Sequence, residues 1–158
     1  MKSINNYISE KLVINKNTGK IGYTYFPKTK QELVVLIIKR IKNEREKCNL
    51  KDINVSKITD MSNLFYNSKF NGDISEWDVS NVTTMHAMFY HSNFNGDNGD
   101  ISEWDVSKVK DMSLMFARSN FNKDISDWYE YTNNVNMENM FYDTSLEGKE
   151  WDWFEYNR

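Results

Sequence analysis

The chain of 158 residues is 39% hydrophobic and 27% charged, with a net charge of -3, which leaves room for one globular domain. Its single cysteine, Cys48, excludes an intramolecular disulfide framework and a zinc site built from several cysteines. No apolar stretch near the start suits a signal peptide, and the longest apolar run, residues 33–38, is too short to cross a bilayer. We therefore expect a cytoplasmic protein without a membrane partner.

Residues 1–49 are predicted to form an N-terminal cap. Its main element is a helix over residues 29–47, because Thr29 and Glu32 have the spacing of a capping box. The apolar stripe of this helix consists of Leu33, Leu36, Ile37 and Ile41. Two elements are predicted before it, a shorter helix over residues 3–12 and a hairpin over residues 15–25.

Residues 50–146 contain an internal repeat. Phenylalanines recur at spacings of 24, 27 and 25 residues, and methionines recur four residues ahead of each. These positions are Phe65, Phe89, Phe116 and Phe141, with Met61, Met85, Met112 and Met137. Because one such unit cannot bury its own apolar face, we expect neighbouring units to stack into a continuous core.

Each unit is predicted to contain a short strand and a helical segment. Residues 74–79 and 101–106 follow the LxxLxL frame, with Trp77 and Trp104 in place of leucine. Residues 82–89 then have helical spacing of apolar side chains. The predicted fold is α/β, a leucine-rich-repeat-like solenoid of about four strand-helix units with an N-terminal helical cap. Residues 147–158 are predicted to close the far end with the aromatic side chains of Trp151, Trp153 and Phe154.

Residues 70–89, which read FNGDISEWDVSNVTTMHAMF, resemble the BspA-like leucine-rich repeats. Proteins with these repeats are common on the surface of mycoplasmas and other bacteria, and some occur in viral genomes. The resemblance implies an adhesion or interaction protein without catalytic residues. The chain departs from the surface pattern, since it lacks a signal peptide and a lipid-attachment cysteine near its start. It therefore looks like a bacterial intracellular protein or a phage protein that acts in the host cytoplasm.

The second copy of the repeat carries an extra Asn-Gly-Asp within NGDNGD, residues 95–100. No register of this stretch supplies the oxygen ligands and the glycine that an EF-hand loop requires. A surface bulge is the simpler interpretation, because Gly and Asn adopt unusual dihedral angles at little cost. The aspartates at the start of each frame, Asp73, Asp100 and Asp124, are interpreted as turn formers. We expect neither a metal site nor a cofactor.

An acidic row is the main candidate for a binding site. If the units stack in register, one line of outward positions is Asp52, Glu76, Glu103 and Asp127, and the next is Asn54, Asp78, Asp105 and Tyr129. What we call the acidic row comprises Glu76, Asp78, Glu103, Asp105 and Asp127, with Tyr129 beside them. Like charges on adjacent strands repel each other, so the row is either a solvated face, a surface cation site or a surface for a basic partner. A surface cation site is the least favoured of the three, which leaves the solvated face and the surface for a basic partner as the main alternatives.

The leading hypothesis is a non-enzymatic protein-interaction module that binds a basic protein surface through this row. The alternative is a phage-type inhibitor or decoy, similar in role to an anti-CRISPR protein, that blocks a nucleic-acid-binding host factor. Direct nucleic-acid binding is disfavoured, because residues 1–49 carry +7 but residues 50–158 carry -10. Neither His86 nor His91 belongs to a recognisable catalytic motif. The oligomeric state is left open.

Overall fold

The computed structural model describes residues 22–149. This part of the chain contains one α-helix, α1 (Lys30–Glu44), and one 3-10 helix (Ser126–Tyr131). Five isolated parallel bridges connect Tyr25 with Ile53, Asn49 with Asp73, Asp60 with Thr84, Thr84 with Asp111, and Asp111 with Asn136. The predicted helix over residues 3–12, most of the hairpin over residues 15–25, and the aromatic residues 151–154 lie outside the described residues.

Helix α1 confirms the prediction for residues 29–47, with slightly shorter bounds. The Thr29 hydroxyl accepts from the Glu32 N–H at 3.2 Å, which satisfies one free donor of the first turn. The stripe of Leu33, Leu36 and Ile37 is buried. Lys30 Nζ lies 3.0 Å from an Asp60 carboxylate oxygen and so ties the helix to the first repeat. Nowhere in residues 22–149 is a helix long and apolar enough to span a bilayer.

The predicted α/β class is wrong. Residues 22–149 contain no sheet and no strand longer than a single bridge residue, and the units are built from consecutive turns. The predicted alternation does hold, since Trp77 and Val79 are buried and Asp78 is exposed. Turns closed by Trp77 N–H to the Ile74 carbonyl and by Val82 N–H to the Val79 carbonyl leave no length for a strand.

The predicted helical segment of each unit is also a chain of turns. In the second unit, Ala87 and His91 have φ of 50° and 53°, which an α-helix cannot accommodate. Every second N–H from residue 85 to residue 91 donates to the next repeat, as Phe89 N–H does to the Met115 carbonyl at 2.8 Å. The backbone is therefore satisfied between repeats, where an α-helix would satisfy it within the segment.

The aromatic columns form the core. Rings of Phe65, Phe89, Phe116 and Phe141 stack at centroid distances of 5.3, 5.5 and 5.7 Å with interplanar angles of at most 6°. A second column of Phe70, Phe94 and Phe121 stacks at 6.2 and 6.1 Å. The expectation that the periodic phenylalanines pile into one core is thus met, although the backbone that carries them differs from the prediction.

Asp-x-Ser turns fix the corners of the units. In each turn the serine N–H donates to the Oδ1 of an Asp or Asn two residues earlier. The pairs are Asn54–Ser56, Asp60–Ser62, Asp73–Ser75, Asp78–Ser80, Asp100–Ser102, Asp105–Ser107, Asp111–Ser113 and Asp124–Ser126. The prediction that the aspartate column forms turns is confirmed.

The extra Asn-Gly-Asp forms a bulge. Asp97 N–H donates to Asn95 Oδ1 at 2.9 Å, and Asp97 Oδ1 lies 2.6 Å from Lys123 Nζ of the next repeat. Asn49 and Asp73 are bridged, but no bridge between described residues connects Asp73 with Asp100. The bulge therefore interrupts the backbone ladder on this side of the stack, while the ladder through Thr84 continues.

Candidate functional site

The acidic row consists of Glu76, Asp78, Glu103, Asp105 and Asp127. All five side chains are exposed, whereas Tyr129 beside them is only half-exposed. Their backbone positions follow from the buried tryptophans, since Glu76, Glu103 and Asp127 each precede one directly. All five predicted carboxylates are thus on the surface, but their surroundings differ from one carboxylate to the next.

Glu76 is partly neutralised. Its carboxylate lies 3.3 Å from Lys51 Nζ, which also lies 3.0 Å from Asp73. Asp52 would have extended the row into the first repeat, but it is 3.0 Å from Arg40 Nη1. Because Lys51 and Arg40 compensate this end, the negative charge of the row is concentrated in the third and fourth repeats.

Asp78 and Asp105 are held by their own turns. Ser80 donates through its hydroxyl to Asp78 Oδ1 at 2.6 Å, and Ser107 N–H donates to Asp105 Oδ1 at 3.0 Å. The hydrogen bonds from Ser107 lower the pKa of the Asp105 carboxyl below its ordinary value. Asp105 is therefore a fixed, ionised carboxylate.

Glu103 and Asp127 have no ion pair or hydrogen bond from their side chains within residues 22–149. They lie on neighbouring repeats, next to Trp104 and Trp128, whose rings stack at 6.4 Å with an interplanar angle of 6°. The buried tryptophans fix the backbone beneath both carboxylates. These two residues are the uncompensated part of the acidic row.

The described residues contain no group of three or more His, Cys, Asp or Glu side chains arranged to hold a metal ion. The cations of α1 fall into two classes. Arg40 is engaged by Asp52 and donates to the Asn49 carbonyl at 2.7 Å, so it is a structural residue. Lys39 and Lys42 are exposed on the helix, and Arg45 and Lys47 are exposed just after its last residue, Glu44.

Sequence reasoning missed a second surface, which we call the tyrosine row. It consists of the residues that follow the core phenylalanines, namely Tyr66, Tyr90, Ala117 and Tyr142. Tyr66 and Tyr90 stack at 5.2 Å, and Arg118 places its guanidinium 5.7 Å from the centre of the Tyr142 ring. A groove of about 400 Å³ runs beside the row. The recurrent Phe-Tyr pair was the available signal for this surface.

His86 also lines this groove, in a chain of hydrogen bonds with Ser113 and Asp111. The Ser113 hydroxyl donates to Asp111 Oδ1 at 2.6 Å and lies 2.8 Å from His86 Nδ1. Since its only proton goes to Asp111, the hydroxyl accepts from His86, which places a proton on Nδ1. Ser113 therefore lies between His86 and Asp111. In a Ser-His-Asp triad the histidine lies in the middle and takes the serine proton, so the order here is different.

The equivalent serine of the first repeat supports this assignment. Ser62 donates its hydroxyl proton to Asp60 and accepts from Lys30 Nζ at 2.6 Å. An ammonium group can only donate, so in both repeats the hydroxyl accepts from the preceding element. The hydrogen bond through Nδ1 fixes the orientation of the His86 ring, and Nε2 is the ring nitrogen that does not contact Ser113.

Over residues 37–153, more than half of the chain, the sequence matches a family described as Mycoplasma protein of unknown function, DUF285. At a coarse level this match agrees with the BspA-like resemblance of residues 70–89. No curated protein and no solved structure matches the chain.

Proposed function

The chain belongs to the family described as Mycoplasma protein of unknown function, DUF285, and from that premise we propose that it is a non-enzymatic protein-interaction module. It binds a basic protein surface through the acidic row. The BspA-like resemblance supports this proposal, because proteins with such repeats are generally regarded as adhesion or interaction proteins. The surroundings of the five carboxylates support the third and fourth repeats as the centre of the contact.

The observation that carries the proposal is the pair of uncompensated carboxylates, Glu103 and Asp127. They are exposed on neighbouring repeats and lie beside stacked tryptophans 6.4 Å apart. Exposed like charges on neighbouring repeats repel each other weakly, and the repulsion falls with distance and with salt. A Lys or Arg from a partner relieves this repulsion, so the row gains more from a cation than an already paired surface does.

The fixed geometry of Asp105 adds to this effect. Its Oδ1 accepts from Ser107 N–H, which leaves Oδ2 for an external donor. Because the turn has already ordered the side chain, binding loses less rotamer entropy than it would with a mobile carboxylate. An arginine of the partner is the donor that suits this geometry best, since its planar fork recognises carboxylates.

The experiment compares two triple variants of equal charge. The row variant carries Glu103→Gln, Asp105→Asn and Asp127→Asn. Asn54 forms the same turn with Ser56, so Asp105→Asn keeps the local fold. The control carries Glu46→Gln, Glu138→Gln and Glu147→Gln, which remove three exposed carboxylates elsewhere. Binding to immobilised poly-L-lysine, and to proteins captured from a lysate, is measured across a salt series.

We expect the row variant to lose at least about tenfold in affinity at low salt and to show a weaker salt dependence. The control should lose little, because distributed exposed charges contribute little individually. Equal losses in the two variants would reduce the interaction to net charge and would contradict a defined acidic site.

A further inference from the structure

The core columns define the spacing at which this protein stacks rings. Phe89, Phe116 and Phe141 stack at 5.5 and 5.7 Å, and the residue after each belongs to the tyrosine row. At Ala117 the row has a methyl group where the other three repeats have a phenol ring. At the ring spacing of the core, Tyr90 and Tyr142 would lie two steps apart, which leaves the width of one ring between them.

We propose that this gap between Tyr90 and Tyr142 is a receptor for one aromatic side chain of a protein partner. It is a second contact, independent of the acidic row. The gap opens onto the groove of about 400 Å³ that both tyrosines line. Ala117 itself is fully buried, so its methyl group does not extend into the groove as the phenol rings of the row do.

Arg118 fills the gap in the free protein. Its guanidinium lies 5.7 Å from the Tyr142 ring centre, and its side chain is also 3.5 Å from an Asp143 oxygen. Arg118 also lines the groove together with Tyr90 and Tyr142. The cation therefore occupies the place of the missing ring.

Arg118 is a displaceable plug and not a core group. Its side chain is 47% exposed, and the Asp143 partner is 67% exposed, so the ion pair between them is weak. A ring that enters the gap gains stacking on two tyrosine faces, worth about 0.5–1.5 kcal/mol for each aromatic pair beyond area burial. The displaced guanidinium can keep its ion pair with the exposed Asp143 outside the gap.

The charge of the molecule selects the source of the ring. A nucleobase could stack equally well, but its phosphates would approach a segment, residues 50–158, that carries -10. The residue that fits is thus a Tyr or Trp from a protein, whose ring stacks on tyrosine without bringing a phosphate charge. This choice makes nucleotide binding an outcome that would count against the proposal.

The test uses N-acetyl-tryptophanamide as the probe, followed by the ring signals of the tyrosines in NMR titrations. Ala117→Tyr completes the row and should abolish binding. Arg118→Ala removes the plug and should raise the affinity about fivefold, because the apparent affinity of the native chain is reduced by the fraction of time the gap is closed. Tyr131→Ala, at an exposed tyrosine outside this groove, is the control and should change nothing.

Stability is measured for each variant, so that loss of folding is separated from loss of binding. If Ala117→Tyr does not fold, Tyr90→Ala and Tyr142→Ala replace it, and each should weaken binding at least threefold by removing a wall. Binding that persists in the filled variant, or an Arg118→Ala protein that binds no better, would overturn the proposal. The proposal would also be overturned if adenosine monophosphate bound as tightly as N-acetyl-tryptophanamide, or if N-acetyl-leucinamide did.

Discussion

The indole N–H of Trp77 donates to the carbonyl oxygen of Leu50, 27 residues earlier, at 2.9 Å. Trp128 makes the equivalent bond to the Ser102 carbonyl at 2.9 Å. Trp104 lies between them in the same column, yet its indole nitrogen is buried and has no hydrogen-bond partner in the described part of the chain. The difference coincides with the bulge at Asn95–Asp97, which interrupts the ladder on this side.

Tryptophan-to-phenylalanine substitutions should therefore differ in cost along this column. Trp77→Phe loses volume and a buried hydrogen bond worth about 1 kcal/mol, whereas Trp104→Phe loses only volume and removes an unpaired donor. We expect the free energy of unfolding in urea to fall by at least about 1 kcal/mol more for Trp77→Phe. An equal or larger fall for Trp104→Phe would show that its nitrogen is satisfied in solution.

Gly72 should tolerate no side chain. A Cβ at this position would overlap the Cys48 carbonyl oxygen and lie 2.7 Å from the Phe70 ring. Backbone cannot move away as a flexible side chain can, so we expect Gly72→Ala to destabilise the protein by about 3 kcal/mol or more. Gly22→Ala is the matched control, because no atom lies within 4 Å of the new Cβ. Thermal melts of the two variants should separate by several degrees.

Two buried alanines should respond oppositely to glycine. Ala87 has φ of 50°, a left-handed conformation that costs an L-residue about 1 kcal/mol and costs glycine nothing. Ala117, one repeat later, is equally buried and is absent from the positive-φ residues. We expect Ala87→Gly to be neutral or stabilising by up to about 1 kcal/mol, and Ala117→Gly to be destabilising by about 0.5–1 kcal/mol. Equal destabilisation in urea would contradict the backbone geometry of the second unit.

Acid should weaken the contact between the first two repeats at Asp73. Burial alone would raise the pKa of this carboxyl, but bonds from Ser75 and from Lys51 outweigh burial and hold the pKa below 3.8. The folded state thus favours the ionised form, so the stabilisation is complete above the unfolded pKa and is lost as the pH falls through the lower folded one.

The measurement is urea unfolding between about pH 5 and pH 2. Asp73→Asn keeps the turn, as Asn54 does, but removes the ion pair with Lys51, and it should flatten the dependence of stability on pH. Glu130→Gln, at an exposed position without an ion pair among the described residues, should leave the slope unchanged. A slope that Asp73→Asn does not alter would assign the acid sensitivity to other carboxylates.

Side-chain positions in the repeats were predictable from the sequence, but the backbone conformation was not. The phenylalanine spacing placed Phe65, Phe89 and Phe116 in one column, and their rings do stack. The three-residue spacing of Val82, Met85 and Met88 also fits a helix. Successive turns bring a side chain to the core about every three residues, which is close to the period of a helix. The turns differ from a helix by two left-handed residues in each unit. The sequence does not mark the first of them, because its identity changes from Asn63 to Ala87 to Leu114.

The candidate surfaces were predictable to different degrees. Exposure of Glu103 and Asp127 followed from the burial of the tryptophan after each. Compensation of Glu76 by Lys51 did not, because it depends on a lysine from the preceding repeat. The sequence could have indicated the gap at Ala117, because one small residue stands where three other repeats have tyrosine. The width of the gap could not be predicted, because it depends on the ring spacing of the stacked structure.

The bulge at Asn95–Asp97 also has a practical consequence. The repeats adjoining it keep their stacked phenylalanines, with Phe94 and Phe121 at 6.1 Å, while one edge of the chain carries three additional residues. Additional residues at that edge therefore do not change how the core phenylalanines stack. Peptide epitopes or reporter tags grafted between the exposed residues Asp97 and Asn98 should leave the scaffold folded, which makes this corner the natural attachment point for engineering the protein.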